Sequence, residues 1–224
     1  MSNPGRVYTV VLGLVLALVL GSAALNTLST DDDGVLGLDA EDQTDLPLPQ
    51  FALPEARSRL EGDANIAQDD CEISQTPCPS GRRRTPACKV RGEGVIRVCD
   101  LFDRPLVISF WFTRGGGCEA QQDVVDRLAR RYRGRVGFLS VNVRDDRRTV
   151  RRLIDQRGWR MPVGHDRDGA ASNVYRVGGC PTLLYAYPGG TLADTSIGEL
   201  DEATQAAKVD ELIAASRRRA ERSR

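Results

Sequence analysis

Short apolar runs alternate with amphipathic stretches along the middle of the chain. Leu106–Phe112 and Val136–Val143 are almost continuously apolar, which is typical of strands covered on both faces. Glu119–Tyr132 and Arg147–Arg157 carry apolar residues at helical spacing, and Gly158 predicts the end of the second helix. The alternation therefore predicts strands that are connected by helices.

The last third of the pattern predicts a hairpin and a closing helix. Thr182–Tyr187 has the composition of a strand, and the Pro-Gly-Gly sequence after it predicts a turn from which Leu192–Thr195 pairs back. Helices are predicted at Ala170–Tyr175 and Asp201–Ala215. This order predicts an α/β fold, in which helices flank a mixed sheet with an antiparallel part.

The N-terminal region has a different pattern, which predicts a membrane segment within residues 1–30. Val7 to Leu25 is uncharged over 19 residues. As a helix it would span roughly 28 Å, close to the ~30 Å hydrocarbon core of a bilayer. Arg6 lies before the run and acidic residues follow it, which predicts a cytoplasmic N-terminus and an exported domain. A signal peptide cleaved near Ala24 is the alternative, and it also predicts an extracytoplasmic domain.

Charge is balanced overall but unevenly distributed. The chain has 31 basic and 31 acidic residues, so its average charge indicates no nucleic-acid partner. Residues 31–70 carry twelve acidic residues against two arginines, which predicts an acidic flexible stalk. Residues 216–224 carry five arginines and one glutamate, which predicts a solvated basic tail.

Cysteine content indicates disulfide bonds. The six cysteines are Cys71, Cys78, Cys88, Cys99, Cys118 and Cys180. An even number in an exported domain favours disulfides. The spacing lacks the short cysteine pairs of a zinc ribbon, and the single histidine, His165, is far from most of them. We therefore expect neither a metal site nor a cofactor.

Two segments resemble the TlpA-like, or redoxin, branch of the thioredoxin superfamily. Phe110–Cys118, which reads FWFTRGGGC, is similar to that branch's strand-to-helix segment, Phe-Trp-Ala-x-Trp-Cys-x-x-Cys. Val177–Thr182, which reads VGGCPT, is similar to its Val-x-Gly-x-Pro-Thr, where the proline is cis. The resemblance covers roughly residues 85–215 and implies a thioredoxin-like domain over 86–215, with residues 71–85 as a cysteine-bearing extension.

The resemblance breaks at the active-site motif. The family's first, attacking cysteine falls on Gly115, and only the second is present, as Cys118. Exchange through the usual pair is therefore excluded, because the first thiolate attacks and the second resolves the mixed disulfide. In this fold the loop with Cys180 and Pro181 faces the start of the active-site helix. The resemblance thus implies a Cys118–Cys180 disulfide, which is either a permanent staple or a relocated redox pair.

The other pairings are less constrained. Cys88 and Cys99 would face each other if residues 86–99 form an opening hairpin whose second strand is Val95–Cys99. Cys71 and Cys78 would then close a small loop. Pairing of Cys71 or Cys78 with Cys88 or Cys99 stays open, because six cysteines permit fifteen pairings.

The remaining residues near the motif have less specific roles. By the resemblance, Trp111, Gly115, Gly116, Gly117 and Pro181 would line a substrate groove, and the glycine run would accept an anion at the helix start. Arg114 and Glu119 are expected to be solvated charges. Trp159 is expected to pack locally in its turn, and His165 is expected at the surface or at a strand end.

Two functional hypotheses follow from these features. In the first, the protein is a thiol–disulfide oxidoreductase that uses Cys118 and Cys180 on an exported protein or a redox-protein partner. In the second, it is a non-catalytic binding or scaffold module, whose groove beside Pro181 binds extended peptide while the disulfides only stabilise it.

Overall fold

The computed structural model describes residues 45–66, 85–114 and 116–222. The predicted anchor, the predicted Cys71–Cys78 pair and Gly115 lie outside these residues. Among the residues that are described, no helix combines the length and the apolar character that crossing a membrane requires.

A five-stranded mixed sheet forms the centre of the domain. Its strands are β4 (Leu106–Trp111), β5 (Gly137–Val143), β6 (Val163–Asp166), β7 (Thr182–Tyr187) and β8 (Thr191–Ile197). They lie in the order β6-β5-β4-β7-β8. Strands β4, β5 and β6 are parallel, whereas β7 and β8 run antiparallel to their neighbours. The predicted mixed sheet is confirmed, and the last strand extends beyond its predicted end.

In the part of the chain that the structure describes, four helices pack on this sheet, and most of their bounds agree with the amphipathic pattern. They are α1 (Cys118–Arg131), α2 (Arg147–Arg157), α3 (Ala170–Val174) and α4 (Glu202–Arg222). Helix α2 has the predicted bounds, because the Asp146 side chain accepts a hydrogen bond from Thr149 N (3.0 Å) at one end and Gly158 adopts φ 67° at the other. The basic tail predicted at 216–224 is part of α4 up to Arg222 and buries Ser216, whereas Arg217, Arg218 and Arg222 are exposed, as predicted for a solvated segment.

Alternation along β4 divides the core into two layers. Val107 and Trp111 face a buried cluster that also contains Val125 of α1, Ile154 of α2 and Val209 of α4. The intervening residues Leu106, Ile108 and Phe110 face a second cluster, to which α3 and residues 48–53 contribute. The continuous apolar run is therefore a strand covered on both faces, as its composition predicts.

The second layer contains residues that the sequence assigned to the stalk. Strand β1 (Phe51–Pro54) pairs with β2 (Asn65–Ile66) and β3 (Val95–Arg97) in a small antiparallel sheet. Phe51 and Leu53 are fully buried. The predicted flexible stalk is therefore wrong over this segment. The acidic composition of this segment favours a solvated stalk. Its apolar residues are nevertheless buried, because they pack against residues that lie far away along the chain.

The same segment runs from one edge of the central sheet to the other. At the β8 edge, Leu192 N donates to Leu46 O (2.8 Å). At the β6 edge, Ala56 N donates to Val163 O (2.8 Å). Both edge strands thus receive backbone hydrogen bonds from residues 45–56, which protects these edges from pairing with other chains.

The predicted opening hairpin does not form. Residues Ala87–Lys89 and Val98–Leu101 are short 3₁₀ turns, and β3 ends at Arg97 and pairs with β1. Cys88 and Cys99 lie in these two turns and are joined in a disulfide with a Cα–Cα distance of 5.8 Å.

Candidate active site

The loop that connects β4 to α1 is held by a buried carboxylate. Asp145 accepts hydrogen bonds from Thr113 N (2.7 Å) and Thr113 Oγ1 (2.8 Å). It also accepts one from Asn142 Nδ2 (2.7 Å) at the end of β5. These bonds fix the loop over the carboxyl ends of the two parallel strands, and α1 therefore starts at a defined place above the sheet.

The single histidine contacts the backbone of Asp145, the residue that holds this loop. His165 lies at the end of β6, and its Nε2 is 2.9 Å from Asp145 O. Its side chain is buried, so the expectation of a surface residue is wrong, although the strand-end position is correct. Residues 51–56 cover that edge of the sheet, which explains the burial.

A disulfide joins the start of α1 to the loop before β7. Cys118 and Cys180 are bonded, with a Cα–Cα distance of 5.7 Å. Cys118 is the first residue of α1 and is fully buried, whereas Cys180 is half-buried. The peptide bond between Cys180 and Pro181 is cis, as the resemblance implies.

Two tryptophans form the inner wall behind this disulfide. Trp111 and Trp159 make an edge-to-face contact with ring centroids 5.3 Å apart, in the same buried cluster as Cys118. The Trp159 Nε1 donates to Asp123 Oδ1 (2.7 Å) on α1. The expectation that Trp159 packs only within its own turn is therefore wrong. The chain after Gly158 folds back over α1, which sequence spacing does not reveal.

A buried polar network ties α1 to the sheet directly beneath the site. Trp111 Nε1 donates to Ser140 Oγ (2.7 Å), and Ser140 Oγ donates to Gln122 Oε1 (2.9 Å). Gln122 Nε2 then donates to Ser109 Oγ (2.7 Å). Each of these buried side chains has a hydrogen-bond partner inside the core, so burial leaves none of them unpaired. The bonds restrain the position of α1 relative to the sheet. The network fixes the helix that carries Cys118.

Gly116 and Gly117, which precede Cys118, have no side chains, and the Glu199 carboxylate lies against Gly117. A Cβ on Gly116 would meet nothing within 4 Å. At Gly117, which has φ 77°, the Glu199 carboxylate occupies the place that a Cβ would take. Glu199 follows β8, so the exposed carboxylate of this chain itself lies against the helix start where the sequence predicts an anion.

Replacement of Gly117 by alanine tests this arrangement. We expect Gly117→Ala to lower the free energy of unfolding by about 1–2 kcal/mol, because a left-handed conformation is unfavourable for a side chain with a Cβ. Gly134→Ala is a matched control, since Gly134 has φ 78° and a Cβ there meets nothing within 4 Å. The two losses in urea unfolding should be similar, because the exposed Glu199 side chain can move aside. A much larger loss at Gly117 that Glu199→Ala removes would show instead that the carboxylate is held rigidly.

Arg114, Glu119 and Tyr185 lie in or beside the elements that carry the disulfide. Arg114 is exposed, and Glu119 is 3.4 Å from Arg157 in an ion pair. Burial raises the pKa of Tyr185, in the same core cluster as Cys118, to about 12, so its hydroxyl stays protonated at neutral pH. Within residues 45–66, 85–114 and 116–222, no cluster of three or more His, Cys, Asp or Glu could hold a metal ion.

Several of these supporting residues were not found by sequence analysis. Asn142 and Asp145 follow a buried strand, and that position is the one signal that could have indicated them. Glu199 has no such signal, because it lies far along the chain from Gly117 and comes near it only through the hairpin that precedes it.

Comparison with known proteins shows the fold and indicates related proteins. The thiol-disulfide oxidoreductase ResA of Oceanobacillus iheyensis is 25% identical over 109 residues, which are 48% of this chain and 57% of the relative. ResA of Geobacillus kaustophilus is 26% identical over 105 residues, 46% of this chain and 60% of the relative. The chain thus spans less than two-thirds of the length of these curated relatives. No protein-family model matches it.

Among solved structures, a candidate thiol:disulfide interchange protein DsbE from Chlorobium tepidum is similar in fold. It aligns with a TM-score of 0.55 and 17% sequence identity, over 77% of this chain and 96% of that protein. At this identity the likeness shows the fold alone. The domain is a mixed α/β thioredoxin-like sheet with flanking helices.

Proposed function

We propose that this protein is a thiol–disulfide oxidoreductase that uses Cys118 and Cys180 as its redox pair. The observation that carries the proposal is the disulfide between these residues, placed at the first residue of α1 and beside the cis proline Pro181. The names of the ResA relatives, thiol-disulfide oxidoreductases, support the same class of reaction.

The chemistry of the site is compatible with reversible exchange. A thiolate at Cys118 would lie at the positive end of the α1 dipole, next to the backbone N–H groups of the first turn. Cys180 is half-buried in a loop, so its sulfur is the more accessible of the two. A thiolate that attacks Cys180 Sγ would therefore release Cys118 as a stabilised thiolate, and a leaving thiolate of low pKa departs faster.

We further propose that the domain is held at the outer side of a membrane by residues 1–30 and acts on an exported protein or a redox-protein partner. The apolar run Val7 to Leu25 and its charged flanks support this placement. Disulfides at Cys88–Cys99 and Cys118–Cys180 also favour an oxidising compartment.

One observation favours a second candidate, a binding module in which the disulfide is a permanent staple. Cys118 has no exposed surface, and its bond closes 62 residues of chain. In the chain-entropy model a loop of this length stabilises a fold by about 4 kcal/mol. In this candidate, the groove beside Pro181 would bind extended peptide without chemistry.

The reduction potential of the pair separates the two candidates. We expect the Cys118–Cys180 bond of the full chain to equilibrate with glutathione at a potential less negative than about −300 mV, since structural disulfides usually lie below that value. Acid quenching, alkylation and peptide mass mapping at a series of glutathione ratios would measure it. The Cys88–Cys99 bond is an internal reference that should stay oxidised. A Cys118–Cys180 bond that stays oxidised together with the reference would support the staple.

A further inference from the structure

We infer that Cys180, and not Cys118, is the cysteine that exchanges with the substrate. This inference rests on the proposed redox function and assigns the two sulfurs different roles. Cys180 would form the mixed disulfide, and Cys118 would resolve it. The attacking residue thus lies in the loop before β7, far along the chain from the helix start where the family's attacking cysteine would fall.

The burial of the two residues is the first argument. Attack by a thiolate requires an open line of approach to the sulfur, and Cys118 is fully buried while Cys180 is half-buried. Cys118 belongs to the buried cluster of Trp111 and Trp159, whereas Cys180 packs against that cluster and stays partly exposed. A protein substrate would therefore reach Cys180 first.

The surroundings of each residue provide the second argument. The Glu199 carboxylate lies against Gly117, directly before Cys118, so an incoming thiolate from that side meets a negative charge. On the other side, Gly178 and Gly179 precede Cys180 and add no side chains around it. Ile197, which is 55% exposed, lies beside them, with its Cγ2 3.6 Å from the position of a Cβ on Gly179. The approach to Cys180 is therefore open and partly apolar.

The position of Cys118 at the start of α1 suits the resolving role. In the reductive direction, the Cys180 thiolate attacks one sulfur of a substrate disulfide, and the other substrate sulfur leaves as a thiolate with the bonding electron pair. Cys118, as a thiolate stabilised by the α1 dipole, then attacks Cys180 Sγ and expels the second substrate thiolate. The two cysteines lose two electrons and two protons, and the two substrate thiols gain them. An external dithiol must reduce the new Cys118–Cys180 bond before the next turnover.

Variants in which one cysteine of the pair is replaced test the assignment directly. In the full chain, Cys118→Ser leaves Cys180, and Cys180→Ser leaves Cys118. With oxidised glutathione as the probe, Cys180 in the Cys118→Ser protein should form a mixed disulfide at least roughly tenfold faster than Cys118 in the Cys180→Ser protein, as followed by peptide mass mapping. Equal rates, or faster reaction of Cys118, would overturn the assignment.

A measurement on the wild-type protein does not depend on whether the variants fold correctly. The wild-type chain is reduced, exposed briefly to iodoacetamide and mapped by peptide mass, and the modified fraction of Cys180 should exceed that of Cys118. Preferential modification of Cys118 would overturn the inference while leaving the proposed function intact if the pair still reduces insulin. Failure of both variants to exchange, together with a wild-type bond that resists glutathione, would overturn the inference and the proposed function together.

Discussion

Reduction of insulin by dithiothreitol should proceed faster in the presence of the wild-type chain and should return to the uncatalysed rate in Cys180→Ser. The physical reason is that position 115 is glycine and carries no thiol, so exchange at the proposed site passes through the Cys118–Cys180 bond. Cys118→Ser should also lose turnover, because its mixed disulfide at Cys180 has no resolving thiol. The measurement is the onset of insulin precipitation, followed as turbidity.

The second disulfide of the described chain provides the matched control for this experiment. A Cys88→Ser/Cys99→Ser double variant removes a bond of similar Cα–Cα distance, 5.8 Å against 5.7 Å, that joins the two 3₁₀ turns outside the candidate site. It should retain the wild-type rate if it remains folded by circular dichroism. Identical background rates for the wild type and both site variants would eliminate the enzyme and leave the binding module.

Replacement of Phe51 by alanine should lower the free energy of unfolding by about 3–5 kcal/mol, the usual loss when a buried aromatic side chain is truncated. Phe51 has no exposed surface, and its ring lies 5.5 Å from the ring of Tyr175 in an edge-to-face contact. The Tyr175 hydroxyl also donates to Pro49 O (2.6 Å), so the strand and α3 are held together at two points. Urea unfolding of the full chain would measure the change.

Leu46→Ala is the matched control for this prediction. Leu46 belongs to the same segment but is 50% exposed, so its truncation should change stability by less than about 0.5 kcal/mol. A loss at Phe51 as small as that at Leu46 would mean that residues 45–56 are a stalk after all and that the second layer of the core is complete without them.

Much of the sheet and the helices was predictable from local sequence pattern. The covered strand at Leu106–Phe112 and the helix at Arg147–Arg157 appear as predicted, because each depends on residues a few positions apart. The hairpin after Tyr187 also depends on local turn chemistry. Errors arose where composition outweighed pattern, as at Phe51 and Leu53, which lie in an acidic segment yet are buried.

The candidate site also contains some residues that the sequence predicts and others that it does not. The two cysteines and Pro181 were found because the family motif is local and its order along the chain is recognisable. Asp145, Trp159 and Glu199 were not assigned to the site, since each reaches the helix start from a different element. Their contacts with Thr113, Trp111 and Gly117 depend on how the sheet orders its strands.

The sequence alone determined the order of strands and helices from Leu106 onward, the glycine at position 115 and the presence of a second candidate sulfur at Cys180. Tertiary structure alone decided that Cys118 is buried while Cys180 is partly open, and that a carboxylate lies at the start of α1. Periodicity and motifs report on neighbours along the chain. Accessibility and approach to a sulfur atom are set by groups that come together only when distant segments pack.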